Sequence, residues 1–499
     1  MAKTYILSID QGTSGTKALI FDTMGNLVSK ASEPLKSYYP LPGFVEQDPH
    51  ELYQNVLTAV GKCYSVFMES FSGEEQNIIS CGISNQRETF VVWDNNGEPL
   101  HNAVVWQCKR SVAICEELKQ HGLEKLVNVK TGLTIDPYFS ATKMMWLRQN
   151  NSVIDKAIRQ GNAYFGTIDT WLLYLLTNKE KYYTDHTNAS RTLFFNSYDL
   201  KWDEELLDEF GLTGLKLPEV MHSSAFFGES DFGGILPNKI PITGMIGDSQ
   251  AAFFGEECFT EGMAKATLGT GSSILWNTGQ VAQQNKNGIL TTIGWSAQKN
   301  INYALEGVIV SCGATLEWLK NQLGLFSDNE EIEPMATSVT GNEGVYLIPA
   351  FSGLGAPHWK KEWKASIHGI SFGTSKAHIV RAALESIAFQ IKDVVGAIES
   401  ETKKKLKELK VDGGITSNHF LMQFLADILQ TPVTNIGISD VSARGAALIS
   451  GLGVGFWQSI EDLPKPVYKG LVTYLPGKLS DDLRDSYTTW QELIAEKKR

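Results

Sequence analysis

A chain of 499 residues is too long for one ordinary hydrophobic core and is expected to divide into two large domains or three small ones. Hydrophobic residues make up 42 % and charged residues 20 %, and the net charge is -12 with no basic run longer than Lys403 to Lys405, which argues against nucleic acid and against anionic membrane surfaces as partners. The start, MAKTYILSID, lacks the apolar stretch of a secretion signal, and nothing elsewhere approaches about 18 uninterrupted apolar residues, so no membrane span and a cytoplasmic location are expected.

Strand signals dominate the start. Tyr5 to Ile9, Ala18 to Phe21 and Leu27 to Ala31 are joined by turn-rich segments into a meander rather than a strand–helix–strand unit. Between the first two runs lies QGTSGT, six side chains too small to pack anything. A plain hairpin turn would use such residues. Read as strand, loop and strand, the stretch also places Asp10 at a strand end, then backbone amides and the hydroxyls of Thr13, Ser14 and Thr16, then Lys17, which are the parts of a phosphate cradle.

A helix is predicted over Pro49 to Phe67, with Asp48 as its cap and Pro49 at the first helical position. IISCGISNQRETFVVWDNNGEPL then gives strand, polar insertion, strand and an NNG turn. Mixed strands and helices continue to GMIGDSQAAFFG, which exposes a carboxylate at Asp248. AKATLGTGSSILW, residues 264 to 276, repeats the opening theme of apolar strand, Gly-Thr turn and apolar strand. Two such hairpins suggest two similar domains, expected at 1–253 and 254–499, facing one nucleotide. VDGGITSNHFLMQFLADIL, residues 411 to 429, reads as a strand ending in Asp-Gly-Gly and then an amphipathic helix with Leu421, Phe424, Leu425, Ile428 and Leu429 on one face. A glycine pair there would let a ligand approach the backbone at the positive end of a helix. The six cysteines are scattered without CxxC spacing and read as buried free thiols.

Over nearly its whole length the sequence resembles the FGGY family of carbohydrate kinases. YFSATKMMWLRQN (138–150) and ASIHGISFGTSKAHIVRAALE (365–385) fit the family's two signatures. GFVEQDP (43–49), SNQRETFVVWD (84–94), VVWQ (104–107), TGLTIDPYFSATK (131–143), TDHTNASRTLFFN (184–196) and LTTIGW (290–295) resemble its glycerol-phosphorylating members most. The resemblance implies an α/β fold of two actin-like, ribonuclease H-like ATPase domains with catalysis in the cleft between them. It implies ATP-dependent phosphorylation of a terminal hydroxyl of a small polyol, glycerol first, or else of a four- or five-carbon polyol or ketose such as xylulose. ATP and Mg2+ are the implied cofactors, and a homodimer or homotetramer the implied assembly.

The same resemblance assigns roles. Asp248 becomes the general base. Arg87, Glu88, Trp106, Tyr138, Asp248 and Ser249 become the acceptor site. Thr13, Ser14, Lys17, Thr270, Gly313, Gly414 and Asn418 become nucleotide contacts. Asp10, the answer to why an apolar strand ends on a carboxylate, becomes a ligand of magnesium through water, and Asp248 a second metal residue. Three departures from the glycerol-phosphorylating members stand out: Ser249 where they usually have glutamine, Ser273 where they have an aromatic, and Lys17 where arginine is common. The two serines are expected to widen the acceptor pocket. Residues 228–241 lack the glycine-rich basic pattern of sugar-bisphosphate inhibition and the histidine phosphorylated in other members. A heat-shock-type ATPase would not need the NQRET, WQ and DPY segments, and a silent sugar-binding protein would not need both Asp10 and Asp248.

Overall fold

A computed structural model of the chain describes residues 3–284, 287–465 and 470–496. β1 (Tyr5–Gln11) is apolar on both faces and buried almost throughout, which suits the middle of a covered sheet. It pairs antiparallel with β2 (Gly15–Asp22), which pairs antiparallel with the more exposed β3 (Leu27–Pro34). α1 (Pro49–Ser70) begins as expected: the Asp48 side chain accepts from the His50 amide, and Leu52, Val56, Ala59, Val60, Cys63 and Phe67 form its buried stripe. β4 (Ile78–Asn85) returns parallel to β1, and, after the insert carrying α2 (Ser140–Asn150), β5 (Ile240–Gly247) returns parallel to β4. The order across this sheet is β3-β2-β1-β4-β5, with Gly228–Ser230 on its far edge. α3 (Asp248–Gly255) follows β5 directly.

The second half repeats this plan. β6 (Met263–Leu268) and β7 (Ser272–Gly279) form the second hairpin; β8 (Leu290–Ala297) and β9 (Asn300–Ile309) follow, and α4 (Gly313–Asn321) starts beside the turn. After the long α5 (Lys376–Thr402), β10 (Glu408–Asp412), α6 (His419–Leu429) and β11 (Val433–Asn435) complete the order β8-β9-β7-β6-β10-β11, with Val472–Tyr474 on the edge. The internal echo is thus a duplication of topology, with β8 added outside β9.

One element crosses between the repeats. α7 (Val441–Gly453) comes from the second half yet packs against α3, β4, β5 and β1 of the first. The repeats follow one another along the chain, while in space the second supplies one helix to the first. The contact is backbone-close: a Cβ at Gly445 would lie 1.8 Å from the Ala251 carbonyl oxygen, and one at Gly82 would lie 2.1 Å from that of Ala446. A shared apolar cluster containing Ile6, Leu19, Phe253, Leu275, Ala446 and Ile449 joins the two halves.

The expected helix after the glycine pair starts later than the sequence suggested. Gly414–Ser417 is a 3-10 turn, because the Thr416 and Ser417 hydroxyls bond back to the carbonyls of Gly413 and Gly414, and α6 begins only at His419. The face of α6 is as predicted, with Phe424 only partly buried. All six cysteines are free and buried. No helix among the described residues is long and apolar enough to cross a membrane.

Candidate active site

Asp248 stands at the junction of β5 and α3, 36 % exposed at its side chain. Its Oδ1 accepts from the Ser249 amide at 2.6 Å and lies 3.3 Å from Arg87 Nε, while Oδ2 has no hydrogen-bond partner among the described residues. The junction is tight. A Cβ at Gly247 would meet Arg87 Cγ at 2.7 Å, and the Gly247 amide donates to Thr187 Oγ1, itself bound to Asp185. One oxygen is therefore fixed and the other offered to the site, as a base needs.

Beneath Asp248 lies a buried ion network. Arg87 Nη1 donates to Glu306 Oε1 at 3.0 Å and to Gln250 Oε1 at 3.3 Å; Arg191 Nε donates to Glu88 Oε1 at 2.6 Å, and its Nη1 is paired with Glu306 Oε2. Ser273 Oγ donates to Glu306 Oε1 at 3.0 Å. Burial alone would push the Glu306 carboxyl up, but the Arg191 and Arg87 guanidiniums and the Ser273 hydroxyl outweigh it and hold it at about 2. Glu88 has fewer such partners, and burial pushes its carboxyl upward despite Arg191 and Arg87. Its backbone is strained at φ 60°, a conformation costing about 1–3 kcal/mol unless its surroundings enforce it. Here the Arg191 bond and a hydrogen bond from Ser140 Oγ to the Glu88 carbonyl enforce it.

Trp106 and Tyr138 form the apolar wall, ring centres 5.4 Å apart and edge-on, with the Arg191 guanidinium 5.8 Å from the Tyr138 ring. Lys143, fully buried and lowered to about 8 by that burial, donates to the carbonyls of Pro137 and Tyr138 and pins the wall's backbone. Ser249 is half-buried beside Asp248. Ser273 adds room but no spare hydroxyl proton, since its proton goes to Glu306. Trp276 and Trp295 are committed to apolar cores.

The first hairpin closes on a Gly12 amide bond to the Gly15 carbonyl, with Thr13 half-buried and Ser14 exposed at its tip. Asp10 accepts from Ser84 Oγ at 3.0 Å; burial raises its carboxyl to about 6, Lys17 pulls it down, and the carboxylates of Asp248 and Asp440 push it up. Lys17 Nζ lies 3.0 Å from Asp440 Oδ1 and 3.9 Å from Asp10 Oδ2. A buried carboxylate with two others near it suits a hard divalent cation such as magnesium. Among the described residues no group of three or more acidic, imidazole or thiol side chains could hold a metal ion by itself.

The second group lies on the other repeat. Thr270 is exposed at the tip of the β6–β7 turn, and the amides of Cys312 and Ala314 donate to its carbonyl. The Gly313 amide is spent on the Gly269 carbonyl, and a Cβ there would lie 2.7 Å from that oxygen, so this glycine seats α4 on the hairpin. Of the glycine pair, Gly413 carries the positive φ, 101°, whereas a Cβ on Gly414 would meet open space. The Asn418 side-chain oxygen caps α6 through the Leu421 amide. These four residues thus share one edge, apart from the Asp10–Lys17 group.

Arg191, Glu306, Gln250 and Lys143 were not singled out from the sequence. For the three charged ones the signal was there: a lone charge inside an otherwise apolar or small-residue stretch, as in ASRTLFF and NYALEGVIV, needs a buried partner.

Models of the N-terminal and C-terminal domains of the FGGY family of carbohydrate kinases match residues 5–255 and 264–453. The chain belongs to this family. Glycerol kinase 1 of Thermotoga maritima is 46 % identical over 485 residues, 97 % of each chain. A glycerol kinase of Carboxydothermus hydrogenoformans is 45 % identical over 495 residues, 99 % of this chain and 98 % of its own. The crystal structure of Plasmodium falciparum glycerol kinase with ADP matches at a TM-score of 0.91 and 35 % identity, over 99 % of this chain and 98 % of that one. The FGGY assignment makes the chain an ATP-dependent carbohydrate kinase, and its duplicated sheets are the actin-like fold expected from the motifs.

Proposed function

We propose that this FGGY kinase transfers the terminal phosphoryl group of ATP to a terminal hydroxyl of glycerol, giving glycerol 3-phosphate and ADP. The carrying observation is Asp248, whose Oδ1 is fixed by Arg87 and the Ser249 amide while Oδ2 has no hydrogen-bond partner among the described residues. Full-length similarity to glycerol kinases supports the acceptor. The glycerol hydroxyls exchange hydrogen bonds with Arg87 and Glu88, and Trp106 and Tyr138 cover its carbon face. As the acceptor oxygen bonds to the γ-phosphorus, its proton passes to Asp248; the bond from phosphorus to the bridging oxygen breaks and its electron pair leaves with ADP. An ordinary carboxylate suffices because the proton leaves late in a loose transition state. Thr13, Ser14 and Lys17 serve the phosphates from one repeat; Thr270, Gly313, Gly414 and Asn418 serve the nucleotide from the other. Asp10 and Asp248 would hold magnesium, which would neutralise phosphate charge when bound.

The small Ser249 and Ser273 side chains keep a four- or five-carbon polyol or ketose as the second reading. ADP release measured with glycerol, dihydroxyacetone, erythritol, ribitol and pentuloses decides between them: the highest kcat/KM is expected for glycerol, and a longer acceptor in first place gives the site to that acceptor. Asp248→Asn is expected to lower turnover by about 10²- to 10⁴-fold with nucleotide affinity retained. Turnover within a few fold of wild type removes Asp248 from its role.

A further inference from the structure

A closed ring of hydrogen bonds joins the acceptor wall to the phosphate hairpin. The indole Nε1 of Trp106 donates to Thr13 Oγ1 at 2.9 Å. Gln47 Nε2 donates to the Thr13 carbonyl at 2.7 Å, Gln86 Nε2 to Gln47 Oε1 at 2.8 Å, and Thr89 Oγ1 to Gln86 Oε1 at 3.1 Å. The Trp106 amide donates to Thr89 Oγ1 at 3.1 Å and closes the ring. Gln47, Gln86 and Thr89 are fully buried or nearly so.

Both arms of the ring donate from Trp106 toward Thr13. The Thr13 carbonyl can only accept, and the Trp106 amide and indole N–H can only donate, so each side-chain amide and hydroxyl between them is fixed in role. The Thr89 proton is committed to Gln86 because its oxygen already accepts from Trp106. Thr13 differs: its oxygen accepts the indole N–H, and among the described residues its own proton goes to no acceptor. That proton is left for an anionic oxygen at the hairpin tip, and a hydroxyl that already accepts a hydrogen bond is a better donor.

We propose that Gln47, Gln86 and Thr89 are positioning residues that, through Trp106 and Thr13, make acceptor and nucleotide affinities interdependent. The proposal rests on the assignments of Trp106 to the acceptor site and of Thr13 to phosphate. Glycerol against the Trp106 ring restrains the indole, the indole restrains the Thr13 hydroxyl, and the Gln47–Gln86 arm holds the Thr13 backbone from the other side. Breaking either arm leaves both binding sites in place but lets them move separately.

The test is a thermodynamic cycle on the full chain: glycerol affinity by calorimetry with and without MgADP, and MgADP affinity with and without glycerol. The two ratios must agree, because coupling is reciprocal. In wild type each ligand is expected to tighten the other by about fivefold or more, at the lower end of ordinary coupling. Gln47→Leu and Thr89→Val are expected to bring the ratio close to one, with glycerol affinity in the absence of nucleotide changed by less than about threefold; Thr89→Ser, which keeps the hydroxyl, restores the wild-type ratio. A merely structural loss would weaken each ligand alone without changing the ratio. Should Gln47→Leu not fold, the Thr89→Val and Thr89→Ser pair decides. A wild type that phosphorylates glycerol with a ratio of one, or variants that keep the wild-type ratio, overturn the circuit and leave the activity standing. Absence of phosphorylation of any polyol overturns the activity, and the circuit with it.

Discussion

In the β1–β2 hairpin the cross-strand pair two residues out from the turn glycines is Asp10 with Lys17; in β6–β7 the same place holds Thr267 with Ser273. On the neighbouring parallel strand the relation reverses, Ser84 lying beside Asp10 and Asp412 beside Thr267. The first hairpin carries its charge next to Asp248, whereas the second presents uncharged groups and turns Ser273 inward to Glu306. One backbone plan was used twice and given different chemistry: the first copy carries the charged pair, and the second presents neutral groups and braces the Glu306 ion network. Topology repeats where strands must pair, and function does not repeat with it.

The largest expected effect breaks the charged side. Asp10→Asn is expected to lower kcat/KM by about 10²-fold or more, the scale of losing one group that stabilises developing charge. Steady-state kinetics at saturating magnesium check this, and a loss under tenfold would make the two hairpins chemically equivalent. Next, Ser273→Phe fills the space on the neutral side. It is expected to penalise five-carbon acceptors relative to glycerol by about tenfold, within the 1–3 kcal/mol range for one misfitted contact. A smaller change comes from Ser273→Ala, which removes one of several donors to Glu306. About 1 kcal/mol is expected, seen as a roughly fivefold rise in glycerol KM with kcat within twofold.

The smallest effect is on stability and has opposite signs on the two sides. The Asp10 carboxyl is raised to about 6 from 3.8, first by burial, so the folded chain holds that proton where the unfolded chain releases it. Stability from this group is full below pH 3.8 and is lost as pH rises through about 6. With chelator present, Asp10→Asn is therefore expected to melt a few degrees above wild type at pH 8 and to lose that advantage toward pH 4, whereas Ser273→Ala melts slightly below wild type at both. Differential scanning calorimetry at the two pH values reads both.

Much of this frame was legible in the sequence because it rests on local rules. The GT-rich turns, the Asp48–Pro49 helix start and the apolar run of β1 each state their structure within a few residues. What was not legible depends on partners far along the chain. Glu306 meets Arg87 across 219 residues, and the partner of Ser273 is on a neighbouring strand, so a serine read from the sequence as pocket wall is seen in the structure as a brace. The 3-10 turn at Gly414–Ser417 was missed because Thr416 and Ser417 compete for the carbonyls that a helix would have used. Nothing in VSARGAALISGLG names the sheet it will cover, although its glycines and alanines announce a close backbone contact.

The position of α7 also sets the order in which the molecule can be made. Its small buried residues cover β1, β4 and β5, strands that leave the ribosome long before it does. Until most of the chain has been synthesised, the first sheet has one apolar face uncovered, open to water and to other nascent chains. Biogenesis of the N-terminal half is thus bound to completion of the C-terminal half, and a product truncated before Val441 leaves that face as a substrate for chaperones or proteases.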